Sequence, residues 1–295
     1  MRIVVTGAAG RMGGQLVEVL NARGHEVSGV DIVGDQVETL DITDFAATRD
    51  FITARKPDIV IHPAAWTDVD GCARDPERAV LVNGFGTQHI ALGAAAAGAA
   101  VLYISSNEVF DGTASQPYRE YDMTHPINPY GYSKWVGERA LADINPRHYI
   151  VRTAWVFAHG GKNFIQAILG AAAAGKRLRI VANEVANPTY NDDLVDALAL
   201  LIETERYGIY HLTNEGYCSR YAFARYFLDK AGYADVPAEP IAGQEWQRLS
   251  TPPVYASLAN HAGRHIGITL RPWQEAVDAF LEKEGLLSIG KSSES

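Results

Sequence analysis

The chain has 295 residues, 47% of them hydrophobic and 21% charged, a balance that can build a sizeable core and excludes a disordered, collagen-like or disulfide-scaffold protein. A net charge of −9 with no offsetting Lys/Arg cluster argues against nucleic acid as a partner, and the longest run free of charged and strongly polar residues, Ile90 to Ile104, is Ala- and Gly-rich and too short to span a bilayer, so no membrane association is expected. Cys72 and Cys218 stand apart without metal spacing, and the chain enters a strand directly at Arg2, which together read as a reduced, cytoplasmic protein.

Arg2 to Thr6 is a β-branched run broken by Gly7 to Gly10, after which Met12, Leu16, Val19 and Leu20 recur at helical spacing as far as Gly24. Glu26 to Val30 reads as the second strand, Phe45 to Arg55 as a helix, and Asp58 to Ile61 as a third strand. Pro76 to Ala97 reads as one long helix and Val101 to Ile104 as a fourth, buried strand. Strands alternating with helices imply parallel pairing through right-handed crossovers, hence an α/β, Rossmann-like doubly wound parallel sheet. Asn128-Pro129 is a helix start, a capping side chain followed by proline at the first helical position, for a helix running to about Asp143.

Tyr149 to Thr153 continues the strand pattern. Beyond Trp155 it loosens into helices at Asn163 to Gly175, Asp192 to Thr204 and Ser219 to Gly232, strands at Leu178 to Val181 and Gly208 to Leu212, and a terminal helix at Pro272 to Glu284. Pro237 to Pro240 and Pro252 to Pro253 read as surface loops. The expected division is a dinucleotide-binding domain over 1–155, a smaller α/β substrate lobe over 156–287, with segments of it free to return to the first domain, and a frayed tail over 288–295.

The first turn, Thr6-Gly7-Ala8-Ala9-Gly10-Arg11-Met12-Gly13, sets a Gly-x-x-Gly-x-x-Gly pattern between strand and helix. Glycines there let the backbone approach a pyrophosphate, whose charge is met by the open N–H groups and positive end of the helix. Asp31, at the end of the second strand, occupies the position from which an acid takes the ribose hydroxyls, a modest preference for NAD over NADP; Arg11 could instead meet a 2′-phosphate. Asp41-Ile42 could face the adenine, although capping by Thr43 or Asp44 explains that stretch equally well.

A carbonyl reductase needs a proton donor for the developing alkoxide, and a tyrosine serves if a nearby cation lowers its pKa. Tyr130 and Lys134 lie four apart just inside a helix start and so share a face. Tyr226 and Lys230 repeat the spacing, but far along the second lobe, where a packed aromatic and a solvated lysine suffice. Tyr130 instead follows the fourth strand, whose exit, Ser105-Ser106, can bring a hydroxyl to the same carbonyl.

These residues together resemble the extended short-chain dehydrogenase/reductase family over nearly the whole chain. Ser105 to Gly112, Pro117-Tyr118-Arg119-Glu120, Asn128-Pro129-Tyr130-Gly131, Gly137-Glu138, Arg152 to Val156, Asn163-Phe164 and Asn187-Pro188-Thr189 are similar to the dTDP-4-dehydrorhamnose reductases within it. That resemblance implies hydride transfer from NAD(P)H to C4 of a nucleotide-linked 4-keto-6-deoxy sugar. It implies Tyr130 as proton donor, Lys134 as holder of the nicotinamide ribose, and Ser106 as the carbonyl's hydrogen-bond partner. Ala64, Ala65 and Asn83 would line the cofactor, and Asn107, Glu108, Trp155, Asn163 and Thr189 would approach the sugar nucleotide.

The chain also departs from that family. Ser106, Asn107 and Glu108 replace the reductases' Thr, Asp and Tyr, and Thr251-Pro252-Pro253 stands where an Arg-Pro pair is usual. Glu108 matches the glutamate of nucleotide-sugar dehydratases, but Asn107 lacks the acid that protonates the leaving group, which disfavours dehydration. A redox-neutral 4-epimerase and a non-catalytic dinucleotide-binding regulatory subunit are the alternatives; retention of Ser106, Tyr130 and Lys134 together argues against the latter.

Trp66, Trp135 and Trp273 read as packing residues. His62, isolated from carboxylates and thiols, gives no metal site. Helices after the third and fourth strands offer a candidate homodimer face.

Overall fold

A computed structural model describes residues 1–34, 37–161 and 163–288; from residue 289 the expected tail lies outside the described residues. The first half builds β1 (Arg2–Thr6), α1 (Arg11–Ala22), β2 (Glu26–Asp31), a two-residue β3 (Glu38–Thr39), α2 (Phe45–Arg55) and β4 (Ile59–His62). It continues with α3 (Val69–Arg74), α4 (Pro76–Ala79), a π-helical stretch Val80–Phe85, α5 (Gly86–Ala97), β5 (Ala100–Ser106), α6 (Pro129–Ile144) and β6 (His148–Thr153).

The seven strands of the central sheet run in the order Gly208–His211, β6, β5, β4, β1, β2, β3, all parallel. Strand residues alternate between two buried faces. Ile3, Val5, Ile59, Ile61, Leu102, Ile104 and Val151 meet α1 and helix Asn191–Ile202 on one face, while Val4, Val60, Val101, Tyr103 and Ile150 meet the side chains of α2, α5 and α6 on the other. Both faces covered is what a parallel sheet requires, and it explains why its strands read as continuous apolar runs.

Chain order reverses between β1 and β4, so their carboxyl ends splay apart and leave a crevice at the topological switch point. The expected long helix from Pro76 is interrupted by the π-helical stretch Val80–Phe85, where Asn83 is turned inward, and β3 was not foreseen because two exposed residues carry no periodicity.

The second half contributes to both regions. Helix Asn191–Ile202 and strand Gly208–His211 join the central sheet's layers. A separate core of Phe157, Leu169, Ile180, Phe223, Phe227, Trp273 and Phe280 holds the smaller lobe. The loop expected over Pro237 to Pro240 is instead largely strand: Ala238–Ile241 pairs in parallel with Leu178–Val181. Pro240 is tolerated because that ribbon has only two strands, so an edge residue without an N–H leaves no central ladder broken. Among the described residues no helix is long and apolar enough to cross a membrane.

Candidate active site

One cleft of about 950 Å³ follows the switch point and runs on between the two regions. At its nucleotide end, Gly7 turns the chain out of β1 with φ +63°, and a Cβ there would stand 2.9 Å from the backbone of Ala64 on the facing loop. A Cβ on Gly13 would lie 2.1 Å from the Gly7 carbonyl oxygen, so only glycine lets α1 start this close to the turn. Gly10 is the N-cap and provides no side-chain cap, which leaves the first-turn N–H groups of α1 open for an anion.

Asp31 reaches back over this loop. One carboxylate oxygen accepts from Ala9 N at 3.0 Å and the other from Ile32 N at 2.7 Å. Gly7, Gly10, Arg11, Met12, Gly13, Asp31, Asp41, Ile42, Ala64 and Ala65 all line the cleft. Asp44 caps α2 through Ala47 N at 3.0 Å, while Asp41 stays in the cleft wall and accepts from the Thr43 hydroxyl at 2.7 Å. The cap and the cleft-facing acid are thus different residues.

At the other end stand Ser106, Asn107, Glu108, Tyr130, Lys134, Trp155 and Asn163. Asn128 caps α6 by accepting from Gly131 N at 2.8 Å, which fixes the first turn carrying Tyr130. Lys134 is buried, its ammonium 4.3 Å from the centroid of the Tyr103 ring. Burial pulls its pKa down to about 7, against the opposing pull of the Glu138 carboxylate. Burial and the nearby Glu108 carboxylate push the Tyr130 phenol above its ordinary range, with the Ser106 hydroxyl opposing.

At the Tyr130 phenol, burial and the Glu108 carboxylate thus outweigh the lowering effect of the Ser106 hydroxyl. A phenol kept protonated is the form that can donate a proton. Glu108 is itself pushed up by burial, and one of its oxygens accepts from Asn128 Nδ2 at 2.7 Å.

Three expected site residues stand elsewhere. Ala9 lies on the exposed shoulder of the turn and supplies its N–H to Asp31. Asn83 is fully buried beneath the cleft; its side chain brackets Trp66, accepting from Trp66 N at 2.7 Å and donating to Trp66 O at 3.0 Å, and donates to Ser133 Oγ at 2.9 Å. It shapes the loop after β4 rather than lining the cleft. Thr189 is fully buried with its hydroxyl on Asn187 O at 3.3 Å, because strand Thr189–Tyr190 pairs with Val156–Phe157 and turns the side chain inward. Asn163 reaches the cleft and also caps its own helix through Gln166 N at 3.0 Å.

His62 is buried between Thr6 Oγ1 at 2.7 Å and Thr87 Oγ1 at 3.2 Å, a strand-to-helix tie; burial drops its pKa to about 3 and keeps it neutral. Among the described residues no group of three or more His, Cys, Asp or Glu could hold a metal.

Other cleft residues were not anticipated. Trp66, expected to be packing, lines the cleft with Arg78 stacked 4.8 Å from its ring centroid. Thr153 ends β6, and Asn191 starts the helix that packs on α1; each lines the cleft and carries a buried oxygen without a hydrogen-bond partner among the described residues. Thr153 was findable from the rule that ligands sit at carboxyl ends of parallel strands. Asn191 carries no local signal. The orphaned oxygens, the uncapped helix start and the close-approach glycines together fit a bound dinucleotide.

The parallel sheet, its glycine turn at the switch point and the Ser106, Tyr130 and Lys134 grouping at the far end of one cleft define the short-chain dehydrogenase/reductase class. Within that class, the chain belongs to the family described as RmlD substrate binding domain, which matches residues 1–285.

It is 36% identical over 294 residues to a dTDP-4-dehydrorhamnose reductase of Mycolicibacterium smegmatis, covering 98% of this chain and 88% of that one. It is 34% identical over 282 residues to the spore coat polysaccharide biosynthesis protein SpsK of Bacillus subtilis, covering 96% and 97% respectively. Among solved structures, a dTDP-4-dehydrorhamnose reductase from Bacillus anthracis in complex with NADP superposes with a TM-score of 0.90 at 31% identity, covering 96% of this chain and 99% of that one.

Proposed function

We propose that this protein is an NAD(P)H-dependent reductase of a nucleotide-linked 4-keto-6-deoxy sugar. The observation that carries the reading is the single cleft that joins the glycine turn to Ser106, Tyr130 and Lys134, in a chain whose relatives are named as reductases of such sugars. A bound reduced nicotinamide supplies the hydride. Tyr130, a neutral phenol at working pH, gives its proton to the carbonyl oxygen as negative charge develops there, and the Ser106 hydroxyl donates a second hydrogen bond to the same oxygen. Lys134 holds the coenzyme ribose, and its ammonium stabilises the phenolate that Tyr130 becomes.

Asp31 favours NADH over NADPH, since a carboxylate at the ribose end repels a 2′-phosphate. Dehydration is not supported: Asn107 is buried and donates to Ala256 O at 3.0 Å, and an amide has no acidic proton for a leaving hydroxide. Leu81, Phe85 and Leu92, exposed along the segment that ends in α5, support a homodimer with a second copy of this chain, which sedimentation would test.

The test supplies nucleotide 4-keto-6-deoxyhexoses with NADH or NADPH and follows the nicotinamide absorbance. Tyr130→Phe should lower kcat by roughly 10²- to 10⁴-fold while coenzyme binding is retained. Normal turnover of that variant would show the proton donor to be wrong. Conversion of substrate without consumption of reductant would favour the redox-neutral alternative.

A further inference from the structure

We infer that Glu138, which does not line the cleft, is the positioning residue of the reductase site: its buried carboxylate locks the strand end bearing Ser106 to the helix bearing Tyr130 and Lys134. The inference rests on the reductase reading for its kinetic consequences. Glu138 is 4% exposed and lies one helical turn beyond Lys134 and two beyond Tyr130 on α6. One of its oxygens accepts from Ser105 Oγ at 2.5 Å and from Arg152 Nε at 2.9 Å, and the other accepts from Arg152 Nη2 at 2.7 Å.

Ser105 and Arg152 are register partners on β5 and β6, and each is followed directly by a cleft residue, Ser106 and Thr153. Arg152 is fixed in turn by Nη1 donating to Glu120 O at 3.1 Å and by lying 5.1 Å over the Phe110 ring. One carboxylate therefore connects two strand ends to the helix, and every proposed reacting group is one peptide or one or two helical turns from a residue in that connection.

A buried ion pair is a poor source of net stability, because apolar residues of similar volume often serve as well. What an apolar pair cannot reproduce is directional bonding to Ser105 and a negative charge beside Lys134. Among the described residues, the titratable groups that act on the ammonium are Glu138 from its own helix, Tyr103 from β5, His62 from β4 and Cys72 from α3, with the Arg152 guanidinium paired to the Glu138 carboxylate. Burial pushes the Cys72 thiol up to about 11 and keeps Tyr103 protonated and His62 neutral, so among these Glu138 is the negative charge that holds Lys134 as an ammonium near neutral pH.

Three variants of the full chain test this: Glu138→Gln, Ser105→Ala, and the paired change Glu138→Met with Arg152→Met. Lys134 is titrated by NMR of 13C-labelled lysine in substrate-free protein, alongside steady-state kinetics. Glu138→Gln should move the Lys134 titration below about 7, shift the basic limb of the kcat profile to lower pH, and reduce kcat on the order of 10²-fold with substrate KM nearly unchanged. Ser105→Ala should lower kcat without moving the lysine. The paired variant should stay folded and still lose kcat.

A folded paired variant with parental kcat and parental Lys134 titration overturns the inference. If no 4-keto sugar is turned over by the parent yet the lysine titration moves as stated, the electrostatic half of the inference is supported and the reductase reading fails instead.

Discussion

Replacing Lys134 by methionine should make the protein more stable at neutral pH while destroying its activity. The side chain is 2% exposed, makes no salt bridge among the described residues, and has its pKa drawn from an ordinary 10.5 to about 7 by burial. Because the folded-state value is the lower one, the unfolded chain binds more protons between about pH 7 and 10.5, and stability rises with pH through that window. At roughly 1.4 kcal/mol per pH unit, the burden is on the order of 5 kcal/mol at or below pH 7, shrinks to about 2 kcal/mol at pH 9, and vanishes above the unfolded value.

Relaxation around the ammonium relieves part of this, so a gain of about 2 to 5 kcal/mol is expected for Lys134→Met at pH 7. Urea unfolding of parent and variant at pH 6, 7, 8 and 9 measures it, with the difference between the two proteins isolating this group from all others that titrate. The reasoning is refuted if the variant is less stable than its parent at pH 7, or if the difference is the same at pH 6 and pH 9. A gain in stability together with lost turnover would mark Lys134 as a group kept for function at a cost to the fold.

Gly13→Ala should weaken coenzyme affinity at least about tenfold and cost roughly 1–3 kcal/mol, since its Cβ would sit 2.1 Å from the Gly7 carbonyl and force α1 away from the turn; coenzyme titration by nicotinamide fluorescence and thermal unfolding check both. Asn128→Ala removes the α6 cap and the contact to Glu108, for an expected loss of about 1–2 kcal/mol in urea unfolding and a fall in kcat as the turn bearing Tyr130 loosens. Asp31→Ala should raise the NADPH-to-NADH ratio of kcat/KM, while an unchanged ratio would assign cofactor choice to Arg11 or other residues. For His62, whose folded pKa of about 3 lies below its ordinary 6.5, stability should fall as pH drops through that interval; His62→Gln should flatten this dependence in urea unfolding between pH 6.5 and 4.

Local chemistry sufficed for much of this molecule. Arg2 to Gly13 states strand, turn and helix by itself, because β-branched residues, glycines and a 3.6-residue apolar repeat each act over a few neighbours. Asn128-Pro129 likewise announces α6, and a four-residue spacing is enough to put Tyr130 and Lys134 on one face. What depends on residues far apart in the chain had to wait for the tertiary structure. Pro240 sits in a strand because a partner at Leu178–Val181 has no sequence neighbour to reveal it, and Thr189 turns inward because Val156–Phe157 claims its backbone.

The charge states are the clearest case. A tyrosine four residues from a lysine suggests an acidified phenol by spacing alone, whereas burial, which spacing does not reveal, raises the phenol and lowers the lysine. Desolvation depends on everything packed around a group, and the carboxylate of Glu138, joined to Ser105 and Arg152 from two neighbouring strands, has its role only once the sheet brings them together.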